Sequence, residues 1–480
     1  MKKNQLLSLL LAFVLLFGLA LPARAEDAVE TTEPTVETAP AETEPQALAP
    51  GLTDSVIGMN AGRSLATHSD LALNDKAALL YEINSDTMVY AYNIDTQLYP
   101  ASLTKVMTCL VALEHGDLDD IVTVSEEAVS GLDPDGSNVA LVPGEEMSLR
   151  EMLYCVMLAS ANDACPVVAE YIAGSEANFV QMMNDEAQRL GCTNTHFANT
   201  HGLHDDAHYT TARDLLRIFS AALEIDFFRE LYGTTQHTVP ATNLCGPREL
   251  SSTDLMKNDA ETPDYLDSRV EGGKTGFTTP AGRCFMCTAQ DGDLHYISIV
   301  LGAENEYLDS GAIVYHNFMD TESLLDLGFD GFAFTQALSP EAPIGQAAVS
   351  GSVEKAVVAP QQSVTALLPV NYDTTALSTS LDMNSAALQA PLEAGTQVGT
   401  VRLSYKGICV AEAPLVTMNP VRQSVISYLT TRAAGSITSS PWKLLVLVLF
   451  LALVFFGILL LRAMILRRRS RRRHRRNRRR

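Results

Sequence analysis

Apolar residues along the chain change period several times, and each change marks an element. Ala77–Glu82 and Thr87–Tyr92 are strand-like runs on either side of Asn84-Ser85-Asp86, which predicts a hairpin. From Ser102 onward Val106, Leu110, Val111 and Leu113 fall at helical spacing, so the chain passes from a strand-like segment into a helix. Ser148-Leu149-Arg150-Glu151 is a capping box ahead of Met152, Leu153, Val156 and Met157, and it predicts a helix that stops at Ser160-Ala161-Asn162. Two more helices follow, over 163–173 before Gly174 and, capped by Ser175, up to residue 190 before Gly191. Thr211, with Asp214 three residues on, caps another.

Strand character returns at Val270–Thr278. Gly272 and Gly273 before Lys274, and Gly276 after Thr275, let another chain approach the backbone closely, as expected of an edge strand facing a substrate. Residues 284–290 and 295–301 alternate around Asp291-Gly292, a hairpin signal, and a helix is predicted over 305–327. This order gives an α+β fold, helices packed on an antiparallel sheet, over residues 71–335. Residues 341–418 carry short alternating runs and no helical period, so they read as a small all-β domain, with a stalk or amphipathic segment at 419–441.

Both ends carry membrane signals. Lys2 and Lys3, an apolar run over 6–21 and Ala23-Arg24-Ala25 make residues 1–25 a signal peptide. Residues 26–70 are rich in Glu, Thr, Pro and Ala and read as a disordered acidic linker, with order beginning near Leu71. The apolar, charge-free run over 444–461 predicts one C-terminal transmembrane helix at 442–462, with Trp442 at its outer interface. The arginine-rich tail 463–480 belongs on the cytoplasmic side, which places everything before the span outside the cell membrane.

The net charge of -23 conceals an asymmetry: 12 of the 34 basic residues lie from Arg462 onward, which leaves 22 facing 57 acids elsewhere. A basic run directly after a span argues for contact with anionic lipid and against nucleic acid. The eight cysteines fix no disulfide pattern. Cys109, Cys155 and Cys165 sit among apolar helical residues as small core side chains. Cys284 and Cys287 are three apart on a strand-like run and so point to opposite faces, which fits neither a zinc knuckle nor a thioredoxin-type pair easily. His196, His201, His204 and His208, beside Asp205 and Asp206, match no standard zinc spacing and read as a structured polar loop. No cofactor and no metal is called for.

Candidate chemistry centres on Ser102 and Lys105. Three apart on a helix, they share a face, and a lysine kept neutral by burial or by a second cation can activate a serine hydroxyl. The same spacing recurs at Ser352/Lys355, in a strand-like run, and at Ser440/Lys443, which contains Pro441 and abuts the span, so only the first copy opens an amphipathic helix. Ser160-Ala161-Asn162 and Lys274-Thr275-Gly276 complete a set of three motifs in the order found in penicillin-binding proteins and class A β-lactamases, with Ala161 where those have Asp.

Tyr99-Pro-Ala-Ser-Leu-Thr-Lys-Val-Met-Thr108, Ser160-Ala-Asn-Asp-Ala164, Asn199-Thr-His-Gly-Leu203 and Tyr209-Thr-Thr-Ala-Arg-Asp214 resemble the low-molecular-mass penicillin-binding proteins of D-alanyl-D-alanine carboxypeptidase type, over about residues 77–332. The resemblance implies a β-lactamase/transpeptidase-like fold, peptidoglycan stem peptides as substrates and β-lactams as covalent inhibitors. It implies Ser102 as nucleophile, Lys105 as its base, Ser160 as proton relay and Asn162 as holder of Lys105 and of the substrate amide. Lys274 would keep Lys105 neutral and, with Thr275, contact the substrate carboxylate. The backbone N–H groups of Ser102 and Phe277 would form the oxyanion hole. The family often has an arginine soon after the strand ending near Leu301; here the chain reads Gly302-Ala-Glu-Asn-Glu306, which leaves the carboxylate to Lys274 and Thr275. Its usual membrane attachment is an amphipathic helix, against a full span here. Two other readings share these motifs: a β-lactamase, for whose deacylating Glu no counterpart stands out, and a non-catalytic wall-binding or β-lactam-sensing membrane protein.

Overall fold

The Asn84-Ser85-Asp86 turn joins β1 (Ala77–Glu82) to β2 (Thr87–Tyr92), with Asp86 at φ +52°. In the computed structural model, residues 63–68, 71–130, 136–260, 262–311, 313–424 and 449–464 are described. The signal peptide and nearly all of the acidic linker therefore lie outside the described residues, as do residues 425–448 and the arginine tail from 465. The last stretch of the linker is docked: Leu65 and Ala66 are buried and donate their N–H groups to Met88 and Val89 carbonyls. Order thus begins ahead of Leu71, because two apolar side chains suffice to lay this stretch against β2.

After a 3-10 turn at Ala101–Leu103, α1 (Thr104–His115) starts the helical part. β3 (Ile121–Thr123), α2 (Glu126–Val129) and β4 (Glu146–Ser148) lead to α3 (Leu149–Met157), where the Ser148 hydroxyl accepts the Glu151 N–H as the capping box predicts. α4 (Ala164–Ala173) ends at left-handed Gly174, and α5 (Glu176–Arg189) is capped by Ser175. α6 (Ala212–Leu223) is capped by Thr211 onto the Asp214 N–H, and α7 (Asp226–Gly233) and the pair β5 (Gln236–Val239) and β6 (Arg248–Ser251) follow. β7 (Val270–Thr278), β8 (Gly282–Asp291) and β9 (Leu294–Ala303) then complete a five-stranded antiparallel sheet in the order β2-β1-β9-β8-β7.

Strand alternation splits the interior between the two faces of this sheet. Ala77, Leu79, Cys284 and Met286 join the core beneath α1 and its neighbouring helices. Ala78, Leu80, Phe285 and Cys287 join a second core with Phe318, Leu324 and Leu325. Cys284 and Cys287 do face opposite ways, and all eight cysteines are free thiols.

The helix predicted over 305–327 needs correction. Residues 305–315 form a small hairpin, β10 (Asn305–Tyr307) with β11 (Ile313–Tyr315), and α8 spans His316–Gly331. The apolar residues before His316 are too few to define a helical face, and the buried Phe318, Leu324 and Leu325 all belong to the later stretch.

β12 (Phe332–Leu338) enters the all-β region and pairs with β15 (Val364–Pro369). β13 (Gly345–Ala348), β14 (Lys355–Pro360), β16 (Leu377–Met383), β17 (Gln397–Tyr405) and β18 (Ile408–Thr417) form a second sheet in the order β13-β14-β18-β17-β16. Residues 449–464 are helical, with apolar side chains such as Leu453 and Phe455 exposed. Among the described residues, no helix is long and apolar enough to cross a membrane.

Candidate active site

Ser102 sits in the 3-10 turn, behind an Ala101 whose φ of +48° is left-handed. That conformation costs a non-glycine residue about 1–2 kcal/mol and persists only where neighbours enforce it. Three do. Gly202, itself at φ +87°, lies so close that an added Cβ would stand 1.9 Å from the Ala101 carbonyl oxygen. The Thr104 hydroxyl donates to that oxygen at 2.8 Å. Having spent its one hydrogen there, Thr104 must accept from His208 Nε2, also at 2.8 Å. His208 Nδ1 is then bare and accepts the Ala198 N–H at 3.1 Å. The ring is a neutral Nε2–H tautomer, in keeping with the burial that pushes its pKa down to about 4.

Lys105 is fully buried on the first turn of α1. Its Nζ lies 3.0 Å from Ser102 Oγ, 2.8 Å from Asn162 Oδ1 and 2.8 Å from the His201 carbonyl oxygen. A neutral amine has two hydrogens and one lone pair. The two carbonyl oxygens can only accept, so they take both hydrogens and turn the lone pair toward the Ser102 hydroxyl. Burial holds the Lys105 pKa below its ordinary value. The thiols of Cys109 and Cys165 beside it stay protonated, since burial raises both, Cys165 to about 12.

Ser160 follows α3 in a left-handed conformation, φ +52°, that turns its hydroxyl toward β7. There it accepts from Lys274 Nζ at 2.9 Å, and the same ammonium donates to the Thr275 carbonyl at 2.9 Å. Lys274 is 2% exposed, and burial together with the charge of Lys105 lowers its pKa to about 7. Asn162 also organises the rim, because its N–H donates to the Ser137 carbonyl at 2.8 Å while Asp163 accepts the N–H groups of Val139 and Leu141.

β7 is the edge of the main sheet, as expected, although its glycines serve different purposes from those expected. An added Cβ at Gly272 would meet the Tyr232 carbonyl at 2.6 Å, and at Gly273 the Phe285 ring at 2.5 Å, so these two accommodate the core. Gly276 alone lies against the nucleophile turn, where a Cβ would come 3.0 Å from the Pro100 oxygen and 3.1 Å from the Ser102 nitrogen. The resulting cleft of about 280 Å³ exposes Ser102, Ser160, Thr275 and Phe277, with Thr253 and Arg283 beside them.

The structure thus gathers Ser102, Lys105, Ser160, Asn162, Lys274, Thr275, Gly276 and Phe277 in one place. Ser352 lies outside it, in the turn before β14, and Ser440 lies outside the described residues. The histidine-rich loop supports the site rather than standing apart. His201 gives its carbonyl to Lys105, and its Nδ1 accepts the Leu203 N–H, while burial and the charge of Lys105 bring its pKa to about 3. Among the described residues no cluster of three or more His, Cys, Asp or Glu side chains is arranged to hold a metal. Sequence reasoning missed His208 as a support and Arg283 as a cleft residue. The first could have been suspected from its place directly before Tyr209-Thr-Thr; nothing local marked the second.

An α+β sheet carrying Ser-x-x-Lys at a helix start, Ser-x-Asn after a helix and Lys-Thr-Gly on the edge strand places the protein in the penicillin-binding class. Residues 64–305 match the peptidase family described as D-alanyl-D-alanine carboxypeptidase, and residues 337–423 match the C-terminal domain of penicillin-binding protein 5. The chain belongs to the D-alanyl-D-alanine carboxypeptidase family. It is 28% identical over 376 residues to the carboxypeptidase DacF of Bacillus subtilis, covering 77% of this chain and 92% of that one. It is 29% identical over 363 residues to DacC of Escherichia coli, covering 73% and 85%. Penicillin-binding protein 5 from Haemophilus influenzae has a similar structure, with TM-score 0.56 and 28% identity over 74% of this chain and 99% of that one.

Proposed function

We propose that this chain is a serine-type peptidase that removes the terminal D-alanine from peptidoglycan stem peptides through an acyl-enzyme. The carrying observation is the Lys105 amine, whose two carbonyl acceptors leave its lone pair for a serine hydroxyl 3.0 Å away. As Ser102 Oγ attacks the penultimate D-alanine carbonyl, its proton passes to Lys105 Nζ. Backbone N–H groups of Ser102 and Phe277 receive the developing oxyanion. Ser160, held by Lys274, passes a proton to the leaving amine, and the C–N bond breaks to free D-alanine. Water then hydrolyses the ester and restores Ser102. A β-lactam carbonyl would be attacked by the same serine. In wild type, a diacetyl-lysyl-D-alanyl-D-alanine peptide should release D-alanine and a fluorescent penicillin should label the protein. Both signals should vanish in Ser102→Ala and persist in Ser352→Ala; labelling that survives Ser102→Ala would refute the assignment.

We further propose that the chain is anchored by one membrane span at 442–462, with its tail cytoplasmic. The uncharged run over 444–461 and the twelve arginines that follow support this orientation. Protease added to protoplasts or spheroplasts should remove the domains and spare the tail; protection of the peptidase region would reverse the topology.

A further inference from the structure

The cleft wall at Ser137 is held from a distance. Ser137 lines the cleft with Ser160, and its carbonyl accepts the Asn162 N–H at 2.8 Å. Just beyond it, residues 139–141 are gripped by opposite charges acting on the two kinds of backbone group. The Asp163 carboxylate accepts the N–H groups of Val139 and Leu141, at 3.1 Å and 3.0 Å. Arg248, on β6, donates from Nε to the Val139 carbonyl at 2.9 Å and from Nη2 to the Ala140 carbonyl at 3.3 Å. Ala140 is left-handed, φ +55°, a conformation that an alanine keeps only where its neighbours enforce it.

Arg248 is fixed in turn by Glu145, at the end of the same loop. Nη1 and Nη2 donate to the two Glu145 carboxylate oxygens at 2.6 Å and 2.8 Å, and such a forked pair sets the guanidinium plane as well as its place. Glu145 is fully buried and also accepts the Thr242 hydroxyl at 2.9 Å. The chain that carries Arg248 runs on to Thr253 and Leu255, which line the cleft too, and the Thr253 and Thr275 hydroxyls share a hydrogen bond. One side chain thus ties two lining segments together.

We propose that Arg248 is a positioning residue for acylation. Through the Val139 and Ala140 carbonyls it fixes Ser137, through Ser137 it fixes Asn162, and Asn162 gives Lys105 one of the two acceptors that aim its lone pair. The inference rests on the peptidase reading above and deepens it, since it names what holds the Ser160–Asn162 side of the cleft in place against Lys105.

The test is stopped-flow acylation by a fluorescent penicillin in the full-length chain, with thermal unfolding of the same preparations. The rate constant is read only on sites that take the label, so it does not depend on the folded fraction. Arg248→Met leaves Glu145 charged, buried and unpaired, and should lower both the melting temperature and the rate constant. Combining it with Glu145→Gln removes that unpaired charge and should recover most of the melting temperature. The rate constant of the double variant should still lie about 10- to 100-fold below wild type, the scale on which a displacement of about 1 Å acts, because the donors to Val139 and Ala140 remain absent. A rate constant within about threefold of wild type in either variant would overturn the proposal, reduce the pair to a support for the fold and leave the peptidase reading intact. A wild-type chain that takes no label would overturn the peptidase reading, and this inference with it.

Discussion

The peptidase region and the all-β region bury different things. Up to residue 321 the interior holds Lys105, Lys274, Glu145, Asp163 and several other polar groups, whereas among the described residues from 332 onward Thr417 is the only buried polar side chain. Backbone strain divides in the same way. Ala101 and Ser160 take left-handed conformations on either side of the cleft, while in the all-β region the one non-glycine residue with positive φ is Lys406, in the turn before Gly407. Burying an amine or straining an alanine costs stability, so it persists where geometry is needed for chemistry. The all-β region follows the plainer rule of apolar residues inside, with Val358, Val398, Val401 and Leu415 at its centre.

The contrast breaks first at Lys105. Lys105→Met keeps the volume and removes the lone pair, and acylation by penicillin should slow by about 10⁴-fold or more, as for loss of a general base in related chemistry. Lys105→Arg should be equally impaired, because a guanidinium stays protonated. Stopped-flow acylation kinetics would show it; a rate within tenfold of wild type would mean another base serves.

On the other side, Leu415→Ala should lower stability by about 2–5 kcal/mol through a cavity in the all-β core. The acylation rate of the protein that remains folded should stay unchanged. Denaturant titration and labelling kinetics on the same samples separate the two, and a parallel loss of acylation would show that the regions are coupled.

A smaller effect comes from His208. Its folded pKa of about 4 lies below the unfolded value of ~6.5, so as pH falls the unfolded chain takes up the proton first and stability drops between those limits. Asp75 and Asp254, raised by burial to about 7 and about 6, push the other way, so the informative quantity is a difference. His208→Gln keeps a donor for Thr104 and cannot titrate. Its stability relative to wild type should rise by about 2 kcal/mol between pH 6.5 and 5; a constant difference would show that His208 is not held neutral.

Much of this was legible because it is local. Ser148, Ser175 and Thr211 cap helices by reaching three residues ahead, and Ser102 and Lys105 meet across one turn. The β1–β2 and β8–β9 hairpins declare themselves through turn residues and alternation. What escaped depends on distant partners. The Thr104–His208 bond joins positions 104 residues apart, and Arg283 reaches the cleft only because β8 pairs in a register that sets it beside Phe277 and near Asn305. Gly272 and Gly273 showed that close approach was needed without showing that Tyr232 and Phe285, rather than substrate, were approaching.

The central claim is that two buried lysines divide the work, the charge on Lys274 disfavouring protonation of Lys105 so that Lys105 can act as the base. An isolated lysine near ~10.4 would leave fewer than ~1 in 1,000 amines free at pH 7. Burial lowers both, and the charge of Lys105 lowers Lys274 further; the repulsion is mutual, so a charged Lys274 disfavours protonation of Lys105 in turn. The direct measurement is the pH dependence of penicillin acylation in wild type, Lys274→Gln and Lys274→Arg. Removing the neighbouring charge raises the Lys105 pKa, so the acid limb should move to higher pH in Lys274→Gln and part of the way back in Lys274→Arg. An acid limb that stays in place in Lys274→Gln, with only weaker binding, would contradict the account and reduce Lys274 to a contact for the substrate.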